Sequence, residues 1–221
     1  MTPLVTGVGV SRLSDLENYV VPSTWRKATR NIKLAVLSMQ GALAAWSESA
    51  RADRAELGLV VGTSSGELET SADFLLTLAR SNVARPLLFQ NSLHNATAGF
   101  ASIEFGITGP AFTLSADQNT PGECITLAQQ LLGDGYCQSV LITLVEVHQS
   151  MARFLDYQVK EAAATMILST PEFANRHELK SLMDWNEEMW TKPYQMQPGT
   201  RPLVDLSASD FFKSCEQVAQ P

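Results

Sequence analysis

Five short apolar runs, bounded by polar residues or glycine, predict the β-strands of this chain. The longest run, SVLITLVEV, is apolar on both faces of an extended segment, which is typical of a strand buried on both sides of a sheet. The predicted strands are Leu4–Val10, Leu57–Gly62, Ala111–Ser115, Ser139–Val147 and Ala163–Ser169.

Four segments between these runs carry apolar residues at helical spacing. In the last of them Ile125, Ala128 and Leu132 recur at intervals of three and four, and Gly133 follows where a helix should end. The predicted helices are Trp25–Trp46, Glu67–Arg80, Asn95–Phe105 and Asn119–Leu132. Because strands and helices alternate, the pattern predicts an α/β fold with a mostly parallel five-stranded sheet and helices on both faces.

The alternating pattern ends near Thr170, which predicts one α/β domain over residues 1–170 and an appended tail over residues 171–221. The tail is polar and contains prolines, and it shows no further strand and helix alternation. We expect its aromatic side chains to contact the sheet or a partner protein. These aromatics are Trp185, Trp190, Tyr194, Phe211 and Phe212.

Composition narrows the classes of function. The chain has 221 residues, of which 18% are charged, and this fraction is below the usual quarter for globular proteins. A low charged fraction is a weak sign that part of the surface faces another protein. The net charge of −7 disfavours nucleic acid and anionic membranes as partners, because both are bound by basic surfaces.

The chain shows no targeting or cofactor signal. Its first residues lack the basic and apolar regions of a secretory signal, and no apolar run approaches the roughly 20 residues of a membrane helix, so we expect a cytoplasmic protein without a membrane span. The three cysteines, Cys124, Cys137 and Cys215, are odd in number and fit no metal-binding spacing. We therefore expect reduced, structural cysteines and neither a metal nor a cofactor.

The junction between the third strand and the last helix carries the chemical argument. A sharp strand-to-helix turn is where many enzymes place a nucleophile, because the helix N-terminus supplies free N–H groups and positive potential. Here the turn carries Asp117 and Gln118, and a neutral amide is not a nucleophile of this kind. Cys124 lies six residues beyond Gln118, more than one helical turn away, and cannot replace it.

Several segments, in order, resemble the N-terminal half of the β-ketoacyl synthases of the thiolase-like superfamily. The resemblance covers most of the chain, and the ordered series is more specific than any one segment. The matching segments are the first helix at Trp25–Trp46, GLVVGTSSGELET at Gly58–Thr70, LHNATAGFASIEFGITGPAFTLS at Leu93–Ser115, the strand SVLITLVEV, and KEAAATMILST at Lys160–Thr170.

The resemblance assigns Gln118 to the position of the nucleophilic cysteine. In the family that cysteine lies nine residues after the glycine of a Gly-Pro pair, and the same count from Gly109 arrives at Gln118. The sequence Ala116-Asp117-Gln118 also resembles the Ala-Glu-Gln of chain length factors. Those are non-condensing subunits that form heterodimers with active ketosynthases in type II polyketide pathways, and short relatives occur in aryl-polyene pathways.

The family's second half, with two catalytic histidines and a lysine, has no counterpart in this sequence. The resemblance therefore implies half of a thiolase-like fold that performs no condensation and stabilises an active β-ketoacyl synthase. The acidic acyl carrier protein would dock on that synthase and involve this chain only indirectly. We expect an interface larger than about 2,000 Å², in which the strand Ala111–Ser115 pairs with the equivalent strand of the partner.

Seven residues are candidates for the interface or for an acyl tunnel shared with the partner, and core packing or a plain surface position stays open for them. Gln118 would also fill the vestigial nucleophile pocket through hydrogen bonds. The candidates are Phe89, His94, Asn95, Phe100, Phe105, Phe112 and Gln118. In contrast, Glu67, Glu69 and Asp73 are expected on a solvated helix face.

Two other functions stay open. Gly62–Gly66 matches the G-x-S-x-G turn of serine hydrolases, which would make Ser64 the nucleophile of an esterase-like enzyme. Asp134 or Asp156 with His148 or His177 would complete its triad in the order serine, acid, histidine. The third possibility is a homodimer that holds an acyl chain without reaction.

Overall fold

A computed structural model describes residues 2–147, 161–183, 185 and 209–219 of the chain. Five β-strands in these ranges form one sheet, and all five agree with the predicted runs to within two residues at either end. The strands are β1 (Leu4–Arg12), β2 (Leu57–Gly62), β3 (Ala111–Leu114), β4 (Ser139–Glu146) and β5 (Ala162–Ser169).

The sheet is mixed, with the strand order β1-β5-β4-β2-β3. β2 pairs in parallel with β3 and β4, whereas β5 pairs antiparallel with β4 and β1. β1, β2, β3 and β4 therefore point in one direction and β5 opposes them. The predicted α/β class and mostly parallel strand direction are confirmed, and β5 is the exception.

Three of the four predicted helices are present with small shifts at their ends, and the fourth is divided. Trp25–Trp46 was expected as one helix, but a short 3₁₀ segment at Ser23–Lys27 precedes the helix that begins at Arg30. Thr29 separates them, because it is extended and its hydroxyl accepts a hydrogen bond from the N–H of Ile32 at 3.1 Å. This is the geometry of an N-cap, which starts a new helix.

The helices in the described ranges include five short or terminal ones that the apolar pattern did not predict. They are α1 (Leu13–Asn18), α2 (Arg30–Leu43), α3 (Glu48–Ala52), α4 (Leu68–Ser81), α5 (Pro86–Asn91), α6 (Ala96–Phe105), α7 (Thr120–Gly133), α8 (Pro171–Arg176) and α9 (Asp210–Ala219). The helices α1, α3, α5, α8 and α9 are those without a sequence prediction.

One face of the sheet is covered by α2 and α6. Gly9 of β1 permits close packing of α2, since a Cβ atom there would overlap with the backbone of Ser38 and Ala42. The Ser38 and Thr165 hydroxyls then lie 2.7 Å apart and form a buried hydrogen bond between α2 and β5. A side chain at position 9 would therefore push the helix away from the sheet.

The opposite face is covered by α7 and α9. In α9, Phe211 and Phe212 are buried in the same cluster as Met166 and Leu168 of β5. Arg12 at the end of β1 forms an ion pair with Glu216 of α9 at 2.6 Å, at the edge of this contact. Helices from the described ranges thus lie on both faces of the sheet.

The described part of the predicted tail is in contact with the sheet. α8 begins directly after β5, and α9 packs on β1 and β5. Trp190 and Tyr194 lie outside the described residues. The boundary at residue 170 stays a prediction.

Two expectations from the sequence have structural counterparts. The three cysteines are free and buried. No helix in the described ranges is both long and apolar enough to cross a membrane.

Removal of the Phe211 ring should destabilise the fold, because the ring is buried between α9 and the sheet. We expect Phe211→Ala to lower the free energy of unfolding by about 3 kcal/mol. Urea denaturation followed by circular dichroism measures this change. Lys213→Ala is the matched control, since the Lys213 side chain on the same helix is 59% exposed. Equal effects of the two substitutions would contradict the packing of α9.

Candidate functional site

The turn between β3 and α7 lies at the carboxyl end of the parallel strands. Gly62 of β2 is level with Leu114 of β3 and Leu144 of β4, so the residues that follow these strands meet at one edge of the sheet. The connection after β2 leads to α4–α6, whereas the one after β3 leads to α7 on the opposite face. Crevices between such diverging connections are the usual ligand sites of open α/β sheets.

The turn has a defined and strained backbone. Asp117 has a φ of 48°, in the left-handed region that few non-glycine residues adopt. Thr120 holds the turn from the first residue of α7: its hydroxyl accepts from the Ala116 N–H at 2.9 Å and donates to the Asp117 carbonyl at 2.7 Å. Asp117 is exposed and Gln118 is half-buried, so both residues predicted at this bend face an accessible surface.

The turn is also tied to the loop after β2. The Ser115 hydroxyl donates to the Thr63 carbonyl at 2.7 Å. Gly62 allows α7 to approach, because a Cβ atom there would overlap with Cys124 and crowd Thr120. The turn that carries Gln118 is therefore tied to the end of β2 and to the loop that follows it.

None of the three cysteines is available as a thiolate. Burial raises the pKa of Cys124 to about 12 and that of Cys137 to about 11. Burial also raises the pKa of Cys215 well above its ordinary value. Because the thiolate is the reactive form, these thiols are inert near neutral pH.

Ser64 of the G-x-S-x-G segment is bound to a carboxylate. Its hydroxyl donates to Glu146 Oε2 at 2.8 Å and its N–H donates to Oε1 of the same side chain. Glu146 ends β4 and is buried, so it joins the loop after β2 to the neighbouring strand.

Ser64, Asp134 and His177 were predicted as hydrolase residues, and they lie in different parts of the described structure. His177 follows α8 and lies against the Phe173 ring and 3.2 Å from the Ser49 hydroxyl. Asp134 caps the opposite end of α7 from the turn. His148 and Asp156 lie outside the described residues. The described residues thus do not form a serine, histidine and acid triad around Ser64.

The expectation that Glu67 is solvated is wrong. Its side chain is almost completely buried and accepts hydrogen bonds from the hydroxyls of Thr29, Thr70 and Thr97 at 2.8, 2.9 and 3.2 Å. Burial raises the pKa of Glu67 above its ordinary value, although these hydrogen bonds act in the opposite direction. Glu67 precedes α4 and faces α2 and α6, so helical periodicity within α4 could not locate it. Asp73 is exposed, as expected.

Strand β3 forms one edge of the sheet within the described residues. Its outer side is open: Ala111 is exposed and Phe112 is 43% exposed. The backbone groups of Pro110 and Leu114 face β2, since their carbonyls accept from the N–H groups of Leu59 and Thr63. Backbone alternation therefore directs the N–H groups of Ala111 and Thr113 towards the open edge.

Earlier in the chain, α4 and α5 carry apolar side chains that stay exposed among the described residues. α4 has 14 residues, and Thr70 alone among them is buried. We define the apolar surface by its exposed large side chains, Leu68, Leu75, Leu76, Leu87 and Phe89. Exposed apolar side chains of this size are common at protein interaction sites.

Besides Phe112 on β3 and Gln118 on the turn, the other predicted interface and tunnel residues lie in three further places. Phe89 belongs to the apolar surface and packs on Phe74, with ring centroids 5.6 Å apart. His94 and Asn95 are exposed, and the His94 ring lies beside Gly66. Phe100 and Phe105 are half-buried against the core.

Two of the predicted residues, Asn95 and Phe100, lie at the same cavity. They line a cavity of ≈ 270 Å³ between α5 and α6, whose floor includes Ile32. Gly99 also lines it, and a Cβ atom at Gly99 would meet no atom within 4 Å. A methyl group at this position would therefore project into open space. Sequence reasoning found Asn95 and Phe100 of this cavity. It did not find Glu146, which binds Ser64, or Asn31, which donates to Thr97.

Comparison of the structure with solved ones finds the same fold. The ishigamide ketosynthase/chain length factor matches with a TM-score of 0.65 and 16% identity over 78% of this chain and 63% of that chain. The ketosynthase ApeO in complex with its chain length factor ApeC, from Xenorhabdus doucetiae, matches with a TM-score of 0.62 and 18% identity over 77% and 79%. This chain therefore spans less than two thirds of the first of these proteins.

A third match is a type II polyketide synthase acyl-carrier protein in complex with its ketosynthase bound to the hexaketide. It has a TM-score of 0.73 and 16% identity, over 82% of this chain and 66% of that chain. At such identities these likenesses show the thiolase-like fold and nothing finer.

The sequence comparisons are more specific about the family. No curated protein matches the chain. The family model described as "Beta-ketoacyl synthase, N-terminal domain" matches residues 32–202, which include the strand-to-helix turn with Gln118 and most of the fold. The chain therefore belongs to the family of β-ketoacyl synthase N-terminal domains.

Proposed function

We propose that this chain is a non-catalytic ketosynthase-like subunit, a chain length factor, that pairs with an active β-ketoacyl synthase. The observation that carries the proposal is Gln118, an amide on the accessible, strained turn where the family resemblance places the nucleophilic cysteine. The Ala116-Asp117-Gln118 sequence and the structural likeness to solved complexes of a ketosynthase with a chain length factor support it.

The chemistry of the Gln118 side chain is the reason to propose that this chain does not catalyse condensation. Condensation begins with transfer of an acyl group to a thiolate, and an amide nitrogen is neither ionised nor nucleophilic near neutral pH. The nearest thiol, Cys124, is buried, with its pKa raised to about 12. The acyl group would therefore be carried by the cysteine of the partner.

In this proposal the synthase contacts two parts of this chain, the open edge of β3 and the apolar surface on α4 and α5. These two parts together are called the partner surface. An open edge offers N–H and C=O groups to an added strand, and exposed leucines supply apolar area. A stable pair of this kind buries about 2,000 Å² or more. Both elements would be covered by the same synthase.

We expect the partner synthase, and not this chain, to recognise the acyl carrier protein. This chain has a net charge of −7, and an acidic carrier protein is repelled by an acidic surface. The carrier would therefore dock mainly on the ketosynthase, with binding that weakens as salt concentration rises. The expected place of this complex is the cytoplasm.

Replacement of Gln118 tests whether this residue takes part in the condensation reaction. We expect Gln118→Ala, co-expressed with the partner synthase, to keep the rate of condensation within about threefold, because the amide contributes nothing to the reacting bonds. The measurement is the rate of product formation from acyl and malonyl carrier proteins. Alanine at the partner's nucleophilic cysteine is the control, and it should abolish the reaction. Condensation by this chain alone would contradict the proposal.

Charges placed on the partner surface should break the pair. We expect Phe112→Asp on β3 and Leu75→Asp on α4 each to weaken binding to the synthase at least about tenfold, because each would desolvate an unpaired charge. Co-purification and light scattering report the change. Val20→Asp is the matched control, since Val20 is 91% exposed and follows α1. If all three variants still co-purify equally, the pairing surface lies elsewhere.

The cavity beside Phe100 should affect product length if it joins the tunnel of the partner. We expect Phe100→Ala to shift the products of the pair towards longer chains, because loss of the ring enlarges the space lined by Asn95 and Gly99. Mass spectrometry of carrier-bound products measures the distribution. Phe212→Ala on α9 is the control for general loosening, since its ring is buried on the opposite face of the sheet. An unchanged distribution would remove Phe100 from the tunnel.

A further inference from the structure

A second, smaller cavity lies at the carboxyl end of β2, where α2 and α4 begin. Its volume is ≈ 20 Å³. A site for one water-sized group needs roughly 10–15 Å³ by the same measure, so the cavity suits a single small occupant. The proposed pairing with a synthase assigns no role to this cavity.

The carboxylate of Glu67 lines the cavity and is 4% exposed. Its hydrogen-bond donors are neutral: the hydroxyls of Thr29 and Thr97 and Nδ2 of Asn31 donate to Oε1, and the Thr70 hydroxyl donates to Oε2. No Lys, Arg or His of the described ranges forms an ion pair with it. A buried carboxylate without a nearby positive charge is costly, which points to a missing cation.

A second oxygen at the same cavity lacks a partner. Asn31 is 4% exposed, and its Nδ2 donates to the Thr97 hydroxyl at 2.9 Å. Its Oδ1 is buried and accepts no hydrogen bond from the residues that the structure describes. A buried acceptor in this state needs a donor or a cation.

The charges around the cavity favour a cation. Glu67 and Glu69 both line it, and the one basic residue among the described lining residues is Arg30. The Arg30 guanidinium lies 3.0 and 3.2 Å from the two carboxylate oxygens of Glu161, so its charge is compensated there. Arg30 therefore does not supply the counter-charge for Glu67.

We propose that the cavity binds one monovalent cation of the size of K⁺. Its ligands would be the Glu67 carboxylate, Asn31 Oδ1 and the hydroxyl oxygens of Thr29 and Thr70. All of these ligand atoms are oxygens, which hard cations prefer. Ca²⁺ takes six to eight oxygens, usually from several carboxylates, and Mg²⁺ needs a near-octahedral set. One carboxylate with neutral oxygens suits a single positive charge.

The bound cation would join the first turns of α2 and α4. Glu67 immediately precedes α4, and Thr29 immediately precedes α2. Three residues before Glu67, Ser64 is held by Glu146. The cation would therefore stabilise the same loop after β2 that supports the turn with Gln118.

Thermal unfolding of the full chain in KCl and in choline chloride, at equal ionic strength, tests the site. We expect K⁺ to raise the melting temperature in a saturable way, by about 3–6 °C at ten times its Kd, because it binds the folded state. Glu67→Gln should abolish the difference between the two salts. Asp73→Asn is the matched control, since Asp73 is exposed on α4 and should leave the difference unchanged.

Coincident melting curves of the wild-type chain in the two salts would overturn the proposal, and a water molecule or a proton on Glu67 would then satisfy the site. If Glu67→Gln does not fold, crystals of the wild-type chain soaked in Tl⁺ decide the question. An anomalous peak in the cavity beside Glu67 and Asn31 would support the site, and its absence would refute it.

Discussion

The contact between the first turn of α7 and the end of β2 is the constraint on which the proposed function depends. Gly62 permits this contact, because any side chain there would collide with Cys124. Thr120 then holds both sides of the turn, and Ser115 ties it to the loop after β2. A turn held this firmly presents whatever side chain follows Asp117 at a fixed place, and in this chain that side chain is an amide.

Buried carboxylates organise the loops around that turn. Glu146 binds both the N–H and the hydroxyl of Ser64, and Glu67 receives the hydroxyls of threonines that begin or lie in three helices. Each carboxylate gathers donors from segments that are distant in sequence. The strand ends are therefore held in place by polar contacts, whereas the two faces of the sheet are held by apolar packing of α2, α6, α7 and α9.

Helices of the described ranges cover both faces of the sheet, and exposed large apolar side chains remain on β3, α4 and α5 as well as at scattered positions such as Val20 and Ile103. β3 is the outermost strand, and α4 contributes a single buried residue to the fold. This exposed apolar area is available for contact with another protein. It also agrees with the low charged fraction of 18%, since side chains that meet another protein are less often charged.

The order of apolar runs by itself determined the five strands, three of the helices and the α/β class, because periodicity reports which faces are buried. The count from Gly109 to Gln118 likewise located the turn. The reversed direction of β5, the place of α9 on the sheet and the burial of Glu67 were decided by tertiary structure alone. Each depends on contacts between distant segments: Glu67 meets Thr29 and Thr97, 38 and 30 residues away, and periodicity within a single helix carries no information about such neighbours.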